Sequence, residues 1–194
     1  VAAMGCAGRH RDYRHRRNLA DGREYKVSID IRPALEADLP HLHPVVERAY
    51  RGDSARAGWT HEADLVTGER TDLETLRSLL DGDSRLLIAR DGDAVLGCVN
   101  IADRGDGLAY LGMLCVDPQL QAGGIGRKLV AAAEGAARDV FAATQVEMAV
   151  IDRRAELIAW YVRHGYEPSG ETRPFPVPLD PPLSMVVLVK PLFD

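Results

Sequence analysis

The run Gln121-Ala122-Gly123-Gly124-Ile125-Gly126-Arg127-Lys128 puts three glycines within four positions, between an apolar stretch and a long amphipathic one. Glycine lets the main chain approach a ligand closely because no Cβ intervenes. Where such a run opens a helix, the first N–H groups lack intrahelical partners and the dipole is positive. A phosphate can then be bound by main chain alone. Two phosphate loops fail on spacing. The nucleotide P-loop needs Gly-Lys before Ser or Thr, but Lys128 follows Arg127 and precedes Leu129. The dinucleotide fingerprint needs a small residue where Leu129 stands. A glycine-rich turn without ligand is the other reading of the same residues.

Other chemistry is thinner. Trp59, His61, Glu62 and Asp64 lie in one polar and aromatic stretch and suit an acceptor pocket; alternatively Trp59 packs on the core and the rest are solvated. A metal at His61 lacks a well-placed third ligand, so no metal site is expected. Cys6, Cys98 and Cys115 are odd in number and show no Cys-x-x-Cys spacing, which suggests neither a disulfide framework nor a zinc site. Cys115 reads as a small buried apolar residue, because no His and acid accompany it in sequence.

The elements around the glycine run can be read in order. Val27 to Pro33 alternates and stops at proline, a first strand. Ala37 to Tyr50 has the period of a helix, with Asp38 as its cap and Pro40 in its first turn. A second helix covers Asp72 to Leu80. Arg85 to Arg90 and Ala94 to Ile101, joined by Asp91-Gly92-Asp93, form a hairpin, and Leu108 to Val116 is a third strand ended by Asp117-Pro118. The next helix presents Ile125, Leu129, Ala133, Ala136 and Val140 on one face, with Arg127, Lys128, Glu134 and Arg138 mostly off it. Gln145 to Ile151 is a strand, Glu156 to His164 a helix stopped by Gly165, and Ser184 to Val189 the last strand. Glu171 to Pro182 holds five of the 11 prolines and is expected to be a stiff loop.

With 194 residues, one domain with a full core is expected, and no apolar run approaches the roughly 20 residues of a membrane span. The N-terminus lacks the apolar core of a secretion signal, so a cytoplasmic location is expected. Residues 1–26 carry seven basic and three acidic residues and little apolar periodicity, reading as a flexible basic arm before a domain at 27–194. A nucleic-acid-binding arm is the alternative. The remainder, with 17 basic and 26 acidic residues, is acidic, which argues against nucleic acid as the domain's partner and for a cationic acceptor such as an amine. Arginine outnumbers lysine 21 to three, an association with GC-rich bacterial genomes.

Gln121, Gly124 and Gly126 resemble the Gln/Arg-x-x-Gly-x-Gly/Ala signature of the GNAT family of N-acetyltransferases, and Ala159-Trp160-Tyr161-Val162-Arg163-His164-Gly165-Tyr166 resembles the family's late Leu-Tyr-x-x-x-Gly-Phe/Tyr pattern. The resemblance covers about Val27 to Leu192. It implies an α/β (α+β) fold with a mixed, mostly antiparallel sheet of about six to seven strands flanked by about four helices. It also implies that acetyl-CoA is the cosubstrate, without metal. Its pyrophosphate would sit on Gln121, Ala122, Gly123, Gly124, Gly126 and Arg127, and its pantetheine on the main chain of Leu114 and Val116. A main-chain N–H near Leu114 would polarise the thioester carbonyl.

Tyr161 is then the expected acid, and a core tyrosine is its alternative. The base is left open: Glu147, Tyr110, Glu62 and His61 are candidates in descending order of preference, and members of the family often work through water. The family's asparagine before the tyrosine is replaced by Arg154. Trp59, Glu62, Arg173 and Phe175 are the expected acceptor contacts. The implied activity is direct attack by an amine, a small molecule by expectation, in a ternary complex. A non-catalytic acyl-CoA sensing domain and a protein N-terminus or lysine acetyltransferase are the alternatives. The expected assembly is a monomer or homodimer, with no nucleic acid or membrane partner.

Overall fold

A strand buried on both faces needs a helix layer on each, and the central strands of this chain alternate between two such layers. The structure is a computed structural model that describes residues 29–51, 68–121 and 123–192. Its strands are β1 (Asp30–Pro33), β2 (Ser84–Asp91), β3 (Ala94–Asp103), β4 (Leu108–Val116), β5 (Gln145–Ile151), β6 (Glu167–Pro174) and β7 (Ser184–Pro191). They form one seven-stranded sheet in the order β1-β2-β3-β4-β5-β7-β6. Every pairing is antiparallel except β4 with β5. The described helices are α1 (Leu39–Tyr50), α2 (Leu73–Ser78), α3 (Ile125–Phe141) and α4 (Ala155–Val162). This is the mixed, mostly antiparallel sheet with four helices that the sequence implied.

On one face, Leu87, Ala89, Val99, Ile101 and Leu111 meet Ile125, Leu129, Val130, Ala133 and Ala137 of α3. On the other, Leu86, Ile88, Cys98 and Cys115 meet Leu42, Val46 and Ala49 of α1 and Leu76 of α2. Each fully buried leucine contributes roughly 1.5–3 kcal/mol relative to exposure. The parallel step from β4 to β5 needs a crossover, and α3 provides it.

Several sequence expectations are corrected. Asp38 does not cap α1 through its side chain; its carboxylate takes the Leu35 N–H at 2.8 Å and a two-pronged contact from Arg32 at 2.8 and 2.9 Å. Glu134 lies on the buried face of α3, because Lys190 Nζ donates to both its oxygens at 2.8 and 2.9 Å and the Tyr166 hydroxyl to one at 3.0 Å. Val140 is exposed instead. The first four residues of the expected loop, Glu171 to Pro174, belong to β6, which pairs with β7 through Thr172↔Val186 and Arg173↔Met185. The helix after Asp72 ends at Ser78, and Asp72 caps it by accepting the Thr75 N–H at 2.7 Å. The expected basic arm lies outside the described residues.

Hydrogen bonds from Arg32, then the Leu35 N–H and the nearby charge, hold Asp38 below the usual carboxylate range against the opposing effect of burial. A depressed carboxylate stabilises the fold fully above its unfolded value of about 3.9 and loses that contribution as pH falls through its folded value. Asp38→Asn should therefore cost about 1–2 kcal/mol at pH 7. In denaturant titrations the gap to the parent chain should close as pH drops from about 4 toward 2.

Candidate functional site

β4 is the one strand that leaves its partner part-way. It pairs with β5 only at Leu108↔Gln145, Ala109↔Val146 and Tyr110↔Glu147. Beyond that point Leu111 to Val116 and Met148 to Ile151 diverge, and a cleft of about 1150 Å³ opens between them. Main-chain groups on that edge of β4 therefore face the cleft rather than a neighbouring strand.

The divergence has local causes. On the β3 side, Cys98↔Cys115 and Asn100↔Gly112 are paired, so Met113 and Leu114 oppose Val99 alone. That bulge turns Met113 to φ 49°, a left-handed conformation that costs a non-glycine residue about 1–2 kcal/mol. The Tyr50 hydroxyl at the end of α1 donates to the Leu114 carbonyl at 2.8 Å and pins the bulge. At the strand's end Asp117 accepts from Arg48 Nη2 of α1 at 2.7 Å and from the Gln119 N–H at 3.1 Å. The second contact starts a 3-10 turn, Pro118–Leu120, that turns the chain toward α3.

Gly124 precedes α3 at φ 75°, and the exposed glycines leave the helix start open to the cleft. Gln121 Nε2 donates to the Val116 carbonyl at 3.4 Å, tying the loop back to the unpaired edge. Gly126 sits where a Cβ would meet Trp160 and Val116 at 3.8 Å, ordinary contact, so α3 packs closely there. A helix N-terminus and a free strand edge thus line one cleft, with Gln121, Gly124, Gly126, Arg127, Leu114 and Val116 on its wall. Gly123 is exposed in the same loop, and Ala122 lies outside the described residues.

α4 forms the opposite wall. Tyr161 is buried yet reaches the cleft, edge-on to Trp160 at 4.9 Å and to Tyr166 at 5.6 Å between ring centroids. Burial pushes its phenol well above the usual tyrosine value; the Arg154 charge opposes this and Tyr110 adds to it. Tyr161 is therefore a neutral donor at any physiological pH.

Glu147 and Arg173 are brought together rather than into the cleft. Arg173 donates Nη1 and Nη2 to the two Glu147 oxygens at 2.9 and 3.1 Å, and Nε to Glu171 at 2.7 Å. Neither Glu147 nor Arg173 lines the cleft, whereas Phe175 does, packed with Leu179 against Ile151 and Leu183. Trp59, His61 and Glu62 lie outside the described residues. Sequence reasoning missed Tyr50, Trp160 and Arg70 as cleft residues; only Trp160, inside the late motif, carried a signal. Among the described residues no group of three or more His, Cys, Asp or Glu could hold a metal ion.

Among the described residues, the Arg, Lys, Asp and Glu side chains on the cleft wall are Arg51, Arg70, Arg127 and Arg154 against Glu69. The site is cationic in an acidic body, as an anion-binding cleft should be.

The acetyltransferase (GNAT) family matches residues 45–166, more than half of the chain. The chain belongs to that family. A protein of Azospirillum brasilense described as an IAA acetyltransferase is 34% identical over 119 residues, 60% of this chain and 76% of its own length. Among solved structures, the ribosomal-protein-S18-alanine N-acetyltransferase from Escherichia coli superimposes with a TM-score of 0.67 at 15% identity, covering 86% of this chain and 96% of that one. The paia N-acetyltransferase from Thermoplasma acidophilum, solved in complex with coenzyme A, gives 0.67 at 19% identity over 84% and 99%. These GNAT structures share the fold. The chain is an N-acetyltransferase, and its reaction is acetyl transfer from acetyl-CoA to an amine.

The close approach of β3 to the bulge depends on Gly97, where a Cβ would strike the Cys115 carbonyl and lie 3.0 Å from Val116 Cα. Backbone cannot move aside as a side chain can, so Gly97→Ala should cost about 1–3 kcal/mol. Because the strain falls on the β3 side of β4 and would shift the strand whose opposite edge lines the cleft, coenzyme A titration should show weaker binding in the same variant. Gly135→Ala, inside α3 where a Cβ meets nothing within 4 Å, is the control expected to leave coenzyme A binding unchanged and to raise stability by about 0.5–1 kcal/mol.

Proposed function

We propose that this GNAT enzyme binds acetyl-CoA with main chain and passes the acetyl group directly to a small-molecule amine. The observation that carries the proposal is that the glycine-opened start of α3 and the unpaired edge of β4 line one cleft with Tyr161. The pyrophosphate would lie on Gln121, Ala122, Gly123, Gly124 and Gly126, with Arg127 adding charge at the helix start. The pantetheine amides would pair with Leu114 and Val116 as a further strand does. A main-chain N–H at the bulge would then face the thioester oxygen as charge develops on it.

Attack needs a neutral amine. We assign Glu147 and Arg173 to fixing β6 against β5 rather than to base or substrate contact, because the guanidinium engages both carboxylate oxygens. Water in the cleft takes the amine's proton, and Tyr110 is the described side chain of the expected set that lines the cleft. The amine N–C bond forms, the C–S bond breaks, and the thiolate gains a hydrogen bond from the Tyr161 hydroxyl. A thiol of ordinary pKa, about 8.5, is a much stronger acid than this buried phenol, so Tyr161 stabilises the thiolate without losing its proton. Phe175 forms part of the acceptor wall, and Trp59 and Glu62 remain acceptor contacts by expectation. No metal enters this chemistry. A cytoplasmic setting suits it, since acetyl-CoA is made and used there. No described helix is long and apolar enough to cross a membrane.

Thiol release from acetyl-CoA across a panel of amines tests this directly. Tyr161→Phe should lower kcat by about 10²-fold while leaving acetyl-CoA binding nearly unchanged. Because burial raises the Tyr161 value, the donor stays protonated as pH rises past about 10, and kcat should show no descending limb there from this residue. Amine-independent thiol release, or a Tyr161→Phe enzyme as fast as the parent, would sink the assignment.

A further inference from the structure

Of the four cleft arginines, Arg127 starts the coenzyme helix and Arg154 starts α4 beside Tyr161. The other two lie at the end of α1. Arg51 is engaged there with main chain, Nε on the Gly68 carbonyl at 3.0 Å and Nη1 on that of Tyr50 at 3.3 Å. Arg70 differs. Its main-chain N–H is held by Glu47 Oε1 at 2.9 Å, and its guanidinium carbon lies 4.9 Å from the centre of the Tyr50 ring. Among the described residues no carboxylate pairs with that guanidinium.

The stack also locates Arg70. The Tyr50 ring beneath it carries the hydroxyl that holds the Leu114 carbonyl, so the guanidinium sits beside the bulge where the acetyl group would be presented. Its charge acts on the Cys98 thiol across the same core. A half-buried cation in a cleft with three others, its N–H fork without a partner among the described residues, is costly unless an anion completes it. Tyr50 orients the fork, and a planar guanidinium takes a carboxylate through two parallel hydrogen bonds. The same cleft is lined by apolar side chains that include Phe175, Val177, Leu179 and Met185.

We propose that the acceptor is an amine that also carries a carboxylate on an apolar body, the carboxylate binding the Arg70 guanidinium while the amine meets the thioester at the Met113–Leu114 bulge. The inference rests on the acetyltransferase reading and deepens it. It reverses the expectation of a cationic acceptor drawn from net charge, since the wall the acceptor meets is locally positive.

The test uses the full chain and apolar amino acids, each offered as the free acid, as its amide and as the decarboxylated amine, with polyamines alongside. Thiol release gives kcat/KM for each, and calorimetry gives coenzyme A affinity. The free acid should exceed its amide by about tenfold to a hundredfold, the range of one charge-assisted pair. Arg70→Gln should bring the acid down to its amide through KM, Arg70→Lys should keep part of the preference, and Arg70→Glu should invert it. Coenzyme A affinity should stay within about twofold of the parent in all three, which shows they are folded and that Arg70 does not hold the coenzyme's phosphates.

Equal rates for acid and amide, turnover confined to polyamines, or a coenzyme A affinity that collapses with Arg70→Gln would each overturn the anchor while leaving the acetyltransferase reading intact. Coenzyme A binding with no amine-dependent thiol release from any compound would overturn that reading and the anchor with it.

Discussion

A strand that leaves one edge unpaired in the middle of a sheet must be held open from elsewhere, because its free N–H and C=O groups would otherwise close on the neighbouring strand. β4 is held open at its bulge. Two residues oppose one on β3, Met113 takes a left-handed conformation, and Tyr50 and Arg48 of α1 fasten the strand on the far side through the Leu114 carbonyl and Asp117. Gly97 lets β3 come close enough for this pairing. The rest follows from that edge. The crossover α3 begins just beyond it, its N-terminus lines the same cleft, and the wall of α4 closes against both. Strain at such a position is sustained only where the surroundings over-determine it, and three side-chain and main-chain contacts do so here.

The electrostatic design runs against the bulk composition. The net charge is -5, while among the described residues four arginines make one cleft positive, a local field that suits a small anionic ligand. Net charge is a property of solubility and encounter; the local field at the site decides what is held. The same separation explains Glu134, a buried carboxylate far from the cleft whose charge is matched by Lys190 and hydrogen-bonded by Tyr166. That cluster joins α3 to β7 and to the segment after Gly165, fixing the helix whose N-terminus the coenzyme would use.

Much of this was legible in the chain because its signals are local. Glycine at a helix start, Asp-Gly between alternating strands and a proline after a strand each act through the backbone of a few residues, and the elements they mark are where the reading put them. The signals that failed depend on partners distant in sequence. Glu134 looked solvated because Tyr166 and Lys190 lie 32 and 56 residues away. Nothing near Glu147 in sequence reveals that Arg173, 26 residues on, takes both its oxygens. The bulge left no mark at all. Leu108 to Val116 reads as an unbroken apolar strand, and the extra residue becomes visible only when β3 is set beside it. Trp59 and Glu62 lie in a stretch about which the described structure is silent.

These distinctions bear on how the fold divides its work. On the proposed reading, coenzyme recognition would draw mainly on main chain, glycines and one strand edge, so it would tolerate change in side chains around it and is readable from a short pattern. Acceptor recognition, on the same reading, would draw on side chains from α1, from the segment at residues 68–70 and from the loop after β6, three places that line the cleft with no shared periodicity. A scaffold built this way can keep one donor while its acceptor changes by substitution at a few exposed positions. Arg70 is such a position. Its backbone is anchored by Glu47 and its ring partner Tyr50 belongs to the bulge, so only its guanidinium is left to choose the ligand.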